Sequence, residues 1–193
     1  MLVLLILSII AIYIFGNKWW MIRKAGKIDR NFMKDIRDMI HDGKIKSALA
    51  LCQKYDSPIA RLVEKGIERI GRPLPDIQAA VENMGNVEVA RLEKNLPMLA
   101  TISGGAPMIG FLGTVTGMIR AFFEMANAGN NIDITLLSGG IYEAMVTTVG
   151  GLFVGIIAYF GYNFLTSQIS NLVFKMERTT IEFIDMLHEP AEN

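Results

Sequence analysis

Cysteine is all but absent: Cys52 stands alone in 193 residues, so neither an intrachain disulfide framework nor a thiol-rich metal site can form. It ends the apolar run Leu49-Ala50-Leu51-Cys52, which reads as one face of a helix holding a buried, inert thiol. Histidine is scarce too. His41 and His188 lie far apart in polar surroundings, and no two metal-ligating residue types recur at ligand spacing. The phosphate-cradling Gly-x-x-x-x-Gly-Lys-Ser/Thr pattern is missing, as is any nucleophile-base-acid arrangement, so the expectation is a non-enzyme with no cofactor and no metal. Charge is the third shortage. Charged residues make up 20% of the chain against 51% hydrophobic, where a soluble domain runs near about a quarter charged. Lys plus Arg and Asp plus Glu balance at 19 each, which argues against nucleic acid as a partner. No charge precedes Lys18, none falls between Lys94 and Arg120, and none between Glu143 and Lys175. Roughly 20 apolar residues cross a bilayer as a helix, and both internal gaps exceed that. A disordered tail and an ordinary soluble enzyme are excluded; lipid is the solvent for much of this chain.

The expected fold is all-α, with three transmembrane helices and a helical polar region. The chain divides into a first span (1–22), a polar helical region (23–95), a second span (96–126), a short link (127–133), a third span that outruns the bilayer (134–174), and a C-terminal helix and tail (175–193). Met1 to Phe15 lacks the basic flank and small-residue cleavage site of a signal peptide and reads as a retained span. Alone it makes only about 22 Å of helix. Gly16 to Ile22 complete it, with Lys18 expected to snorkel and Trp19-Trp20 to sit at the interface. The second span is expected to be interrupted by Gly and Pro. The third carries Ser167, Gln168, Ser170 and Asn171 towards its end, pointing to projection beyond the membrane. Lys18, Arg23, Lys24 and Lys27 follow the first span, Arg91 and Lys94 precede the second, and Lys175 and Arg178 follow the third, while the link around Asn127 to Asp133 has no Lys or Arg. The positive-inside rule then puts the N-terminus and the link outside, and the polar region and C-terminus in the cytoplasm.

Within the polar region, apolar residues recur at helical spacing between Gly and Pro breaks. Phe32, Ile36, Met39 and Ile40 form a face ended by Asp42-Gly43; Leu49, Leu51 and Cys52 form a second, ended before Pro58. Ile59, Leu62, Val63, Ile67 and Ile70 form a third, stopped by Gly71 and Pro73. A fourth starts near Pro75-Asp76 and leads to the second span, and Met176, Thr180, Phe183, Ile184 and Leu187 carry a helix on to Pro190. The acidic residues here read as solvated faces. The 12 methionines are scattered and mark no groove.

The membrane segments are more informative. On a helical second span, Pro107, Gly110, Thr114, Gly117 and Ala121 share a face; the third carries a matching stripe of Gly140, Ala144, Thr148, Gly151 and Gly155. Small residues at that spacing allow close helix approach, and threonine can hydrogen-bond across the contact. Such stripes either pack helices or, with several subunits assembled, wall a weakly polar lumen. Glu143 lies near the outer start of the third span, where an ionised group is costly unless paired or wet. It either pairs locally at the interface or bounds a water-filled cavity. Neither stripe holds a carboxylate at mid-bilayer, so a proton relay would need a titratable group from elsewhere.

Ala106-Pro107, Gly110-Phe111-Leu112-Gly113-Thr114-Val115, Gly140-Ile141-Tyr142-Glu143-Ala144-Met145 through Thr148, Gly151-Leu152, and Tyr162-Asn163 closely resemble the ExbB/TolQ/MotA proton-channel superfamily, the ExbB/TolQ branch in particular. The resemblance covers most of the chain. It implies a homopentameric ring in a bacterial inner membrane, N-terminus periplasmic and C-terminus cytoplasmic. The lumen would hold two helices of a single-span partner resembling ExbD or TolR, which brings the protonatable Asp. By the same resemblance Thr114 and Thr148 match lumen threonines, Glu143 the glutamate at the start of the third span, and Pro107 the proline of the second. Tyr162 and Asn163 match a polar pair near the inner end of the third span, in contact with the partner or the ion exit. Thr147 departs from the family, which often has Ala there, and adds a hydroxyl to the path; a shortened N-terminus with no external extension is expected as a second departure. Ion flow through the partner's Asp would turn a two-helix shaft in a fivefold ring and pass work to a TonB-like protein for outer-membrane import. The alternatives are a TolQ-like subunit serving a TolA-like protein, a flagellar or gliding stator, and a non-conducting scaffold.

Overall fold

The computed structural model describes residues 1–29, 31–127 and 134–188. The expected link and the stop at Pro190 lie outside these residues. Among the described residues seven helices follow one another: α1 (Leu2–Ala25), α2 (Phe32–His41), α3 (Ile45–Lys54), α4 (Pro58–Ile67), α5 (Leu74–Glu93), α6 (Leu96–Asn127) and α7 (Ile134–His188). No strand occurs among the described residues. Among these residues three helical stretches are long and apolar enough to cross a membrane, and the chain is an all-α polytopic membrane protein. At 1.5 Å per residue, α1 (24 residues) runs about 36 Å, α6 (32) about 48 Å and α7 (55) about 82 Å, against a hydrocarbon core of about 30 Å.

The chain forms two compact units: residues 1–17 with 95–165, and residues 18–94 with 166–193. In the first, α1 and α7 run parallel and α6 antiparallel to both: Gly150 neighbours Leu4 and Gly161 neighbours Phe15, whereas Gly140 meets Ala121 and Gly155 meets Pro107. Small side chains share the interior with aliphatic ones such as Leu99, Ile102 and Leu165: Ala106, Ala121, Ala144 and Ala158 are all buried, while Phe111, Phe123, Phe153 and Phe160 point outward. That inversion of the soluble pattern follows from the solvent, since lipid gives no reason to hide a Phe and close backbone approach rewards an Ala. α6 corrects one expectation. Pro107 lies inside an unbroken helix, because in a membrane a neighbouring helix can cover the carbonyl that proline leaves without its N–H. Here Gly155 supplies the cover, its missing side chain leaving room for the Pro107 ring and the Ser103 carbonyl.

In the second unit, α2 packs on α3, α3 on α4 and α4 on α5. Gly43 and Gly71, at φ +71° and +94°, supply the left-handed turns that end α2 and the chain beyond α4. Phe32, Ile36, Ala48, Cys52, Val63, Ile67, Val81 and Phe183 are buried, and Phe32 meets Tyr55 edge-on at 5.4 Å. The Phe183 ring lies over Gly66 in the space a Cβ would fill. Burial pushes the Cys52 thiol up to about 12, helped by the charge of Glu64.

Two polar groups here depart from the sequence reading. Lys18 does not snorkel: it is 7% exposed, and its Nζ donates to the carbonyls of Leu92 (2.9 Å) and Arg91 (3.2 Å), capping the end of α5, where carbonyls lack helical donors. Glu88 is not a solvated residue. It is wholly buried and accepts from Arg61 Nη2 (2.7 Å), Arg61 Nε (3.0 Å) and Arg91 Nη1 (3.0 Å). Arg61 also donates to Asp56 (2.9 Å), which takes a second bond from Lys24 (2.8 Å). The hydrogen bonds from Lys24 and then Arg61 hold Asp56 below the usual carboxylate range. Ser57 Oγ donates to the Ala25 carbonyl at 2.9 Å, closing the end of α1.

Candidate functional site

The two small-residue stripes face one another along the α6–α7 seam. A Cβ on Gly110 would stand 2.9 Å from the Thr147 carbonyl and 3.1 Å from the Cα atoms of Thr148 and Gly151, and one on Gly117 would stand 2.7 Å from the Ala144 methyl. Gly151 is tighter still, at 2.5 Å from the Ala106 carbonyl. The glycines are thus what allows the two backbones to touch.

The threonines close the seam's polar accounts. Thr114 and Thr148 share a hydrogen bond at 3.0 Å. Thr148 Oγ1 also lies 3.0 Å from the Gly110 carbonyl and Thr114 Oγ1 2.6 Å from that of Phe111. Each hydroxyl carries one proton, so these contacts describe alternative donor arrangements in one cluster. Thr147 donates to the Ala144 carbonyl at 2.7 Å, with Gly110 O at 3.4 Å.

Beside the seam opens a recess of about 510 Å³ walled by α6 and α7. Glu143, Ala144 and Thr147 line it from α7; Gly113, Thr116, Gly117, Arg120, Ala121 and Glu124 line it from α6. Glu143 is exposed to it, and Arg120 Nε donates to Glu124 at 2.9 Å. The structure therefore divides the polar residues singled out in the sequence. Glu143 and Thr147 come together in the recess, while Thr114 and Thr148 join each other in the seam and are not among the recess walls. Pro107, Gly110, Gly117, Ala144, Gly151 and Gly155 all make the close helix contact. Tyr162 and Asn163 stand apart, about four turns further along α7, and the Asn163 amide donates back to the Tyr159 carbonyl at 3.0 Å.

Thr116, Arg120 and Glu124 are the recess residues that sequence reasoning passed over. Their signal was present as a four-residue repeat, which stacks side chains on one helix face. Arg120 had served only to mark the end of an uncharged run.

A three-helix apolar unit in which Thr114 and Thr148 pair across the α6–α7 seam and Glu143, Arg120 and Glu124 line the recess beside it defines a polytopic membrane protein with a polar helix–helix margin. Residues 54–178 match the MotA/TolQ/ExbB proton channel family, and the chain belongs to that family, which is defined by ion conduction and not by enzymatic chemistry. An ExbB homolog of the biopolymer transport proteins from Methanothermobacter thermautotrophicus is 29% identical over 175 residues, covering 88% of this chain and 62% of the relative. An ExbB-like protein of Synechocystis is 29% identical over 167 residues, covering 85% and 65%. The Tol-Pal system protein TolQ of Haemophilus influenzae is 34% identical over 106 residues, covering 55% and 46%. The chain thus spans less than two thirds of the length of these relatives.

Proposed function

We propose that this chain is the channel-forming subunit of an ion-driven motor in a bacterial inner membrane, with its N-terminus in the periplasm and its C-terminus in the cytoplasm. Five copies form a ring around two helices of an ExbD- or TolR-like single-span partner, whose Asp carries the proton. The observation that supports this best is the Thr114–Thr148 hydroxyl pair in the α6–α7 seam beside a recess lined by Thr147 and Glu143. Hydroxyls relay and solvate an ion but do not titrate near neutral pH, so the pair supplies a path and the partner supplies the proton carrier. Glu143 attracts cations to the outer end of that path. A charge falling through 100 mV yields about 2.3 kcal/mol, which the complex passes to a TonB-like protein for outer-membrane import. The likeness to TolQ keeps a TolA-like target as the second reading.

Native mass spectrometry of the detergent-extracted protein, co-expressed with a neighbouring single-span, Asp-bearing protein, tests the assembly. Five copies with two of the partner are expected. In proteoliposomes of that complex, Thr148→Val and Glu143→Gln are expected to cut proton flux at least tenfold while leaving the assembly mass unchanged. An assembly that never retains the partner, or a complex that carries no proton flux, overturns the motor reading in favour of a passive scaffold; unchanged flux in both variants takes the path away from Thr148 and Glu143.

A further inference from the structure

The second unit holds a pocket of about 630 Å³ between the segment after α1, α2, α4 and the C-terminal part of α7. Lys34 and Arg37 enter it from α2, Lys175 and Arg178 from α7; Asp29 and Glu182 are its acidic members. Four cations against two carboxylates leave an excess of positive charge. Each pair of cations is spaced three apart, so like charges sit side by side on one helix face, an arrangement that is unfavourable without a counter-charge. Other cations of this unit do find carboxylates, as in Lys24–Asp56, Arg61–Glu88 and Arg91–Glu88. None of the four makes an ion pair among the described residues. Asp29 is engaged with the Asn31 backbone N–H at 3.0 Å. The pocket also has an apolar side, with Phe32, Met33 and Ile59 among its walls. A cationic rim over an apolar side suits a phosphate that is attached to a hydrocarbon chain.

The chain positions of these residues favour the same ligand. Trp19 and Trp20, both exposed, lie two turns before Gly26, which lines the pocket, and tryptophans of this kind mark the headgroup level. On α7, Lys175 is the first charge after the long uncharged run. We infer that this pocket binds the phosphate group of an anionic phospholipid headgroup, held by Lys34, Arg37, Lys175 and Arg178. Basic pockets at the cytoplasmic ends of membrane helices take such headgroups, and each Lys or Arg near an anionic surface contributes about 1 kcal/mol.

The test uses the full chain in a neutral detergent, titrated with short-chain phosphatidylglycerol, phosphatidylcholine of the same chain length, or inorganic phosphate, and read by native mass spectrometry and thermal shift. Wild type is expected to bind phosphatidylglycerol and not phosphatidylcholine, with affinity falling as salt rises. Lys175→Gln/Arg178→Gln is expected to weaken binding about 30-fold, the factor that corresponds to two such charges. Lys175→Arg retains it, as does Lys46→Gln/Lys54→Gln, which removes the same charge from exposed positions on α3. Unchanged circular dichroism shows that each variant is folded. Binding of phosphatidylglycerol lost equally in the α3 variant, or unaffected in the α7 variant, overturns the site. Inorganic phosphate competing at equal concentration overturns the lipid and assigns the pocket to free phosphate.

Discussion

Gly150 and Gly151 are neighbours on α7 with opposite surroundings, and replacing each by alanine separates helix propensity from packing. A Cβ on Gly150 would meet Leu4 Cδ1 and Met1 Cε at 3.7 Å, ordinary contacts with flexible side-chain ends. On Gly151 it would meet only α6 backbone: Ala106 O at 2.5 Å, Gly110 Cα at 2.9 Å and Gly110 N at 3.1 Å. Reaching normal contact at about 3.5 Å then moves the helices apart by about 1 Å. Both variants gain up to about 1 kcal/mol of helix propensity. Gly150→Ala keeps that gain. Gly151→Ala adds an overpacking cost of about 1–3 kcal/mol and stretches the 3.0 Å Thr114–Thr148 and Thr148–Gly110 contacts, each worth about 0.6 kcal/mol in a membrane. The two variants therefore differ by about 2–4 kcal/mol, with Gly150→Ala the more stable. At about 2–4 °C per kcal/mol for a chain of this size, their melting temperatures differ by roughly 5–15 °C. The assay is thermal unfolding in detergent, followed by circular dichroism and by retention of a monodisperse size-exclusion peak. A Gly151→Ala protein that melts with or above Gly150→Ala would falsify the account of the seam as backbone held against backbone.

Three more outcomes follow from the second unit. Arg61→Met leaves Glu88 buried with Arg91 alone and is expected to cost about 3 kcal/mol in chemical denaturation, while Arg61→Met/Glu88→Leu recovers most of it because the stranded charge is gone; an additive double variant refutes the pairing. Cys52, buried and with its thiol pushed up to about 12, is expected to resist maleimide at pH 8 in the native protein and to react fully once unfolded; stoichiometric labelling of folded protein contradicts its burial. Gly66→Ala collides with the Phe183 ring, which is fully buried, and is expected to lose about 1–3 kcal/mol, most of it restored by Phe183→Leu.

The parts of this molecule that sequence made readable are those governed by local periodicity or by solvent. Uncharged runs longer than a bilayer mark α6 and α7, a shorter one completed past Lys18 marks α1, and Gly or Pro breaks between amphipathic faces mark α2 to α5. The facing stripes of α6 and α7 were visible because small residues at helical spacing have few uses other than close approach. What stayed hidden depends on partners distant in the chain. Lys18 looked like an interfacial cation because nothing near it in sequence reveals the α5 carbonyls it caps. Glu88 looked solvated because Arg61, which neutralises it, is on another helix. Arg120 and Glu124 join Glu143 only after α6 and α7 pair. Pro107 was expected to interrupt its helix because local rules omit the neighbour that accommodates it.

That proline has a mechanical consequence. A helix resists bending because every turn is tied to the next by hydrogen bonds, and α6 has one turn where a tie is missing, between the Ser103 carbonyl and position 107. Compliance is therefore concentrated at a single level of α6, opposite the glycine that gives the ring its room. Above and below it the helix behaves as two stiff rods. A load applied to one end would be taken up as flexure at Pro107 before it disturbed the glycine contacts further along.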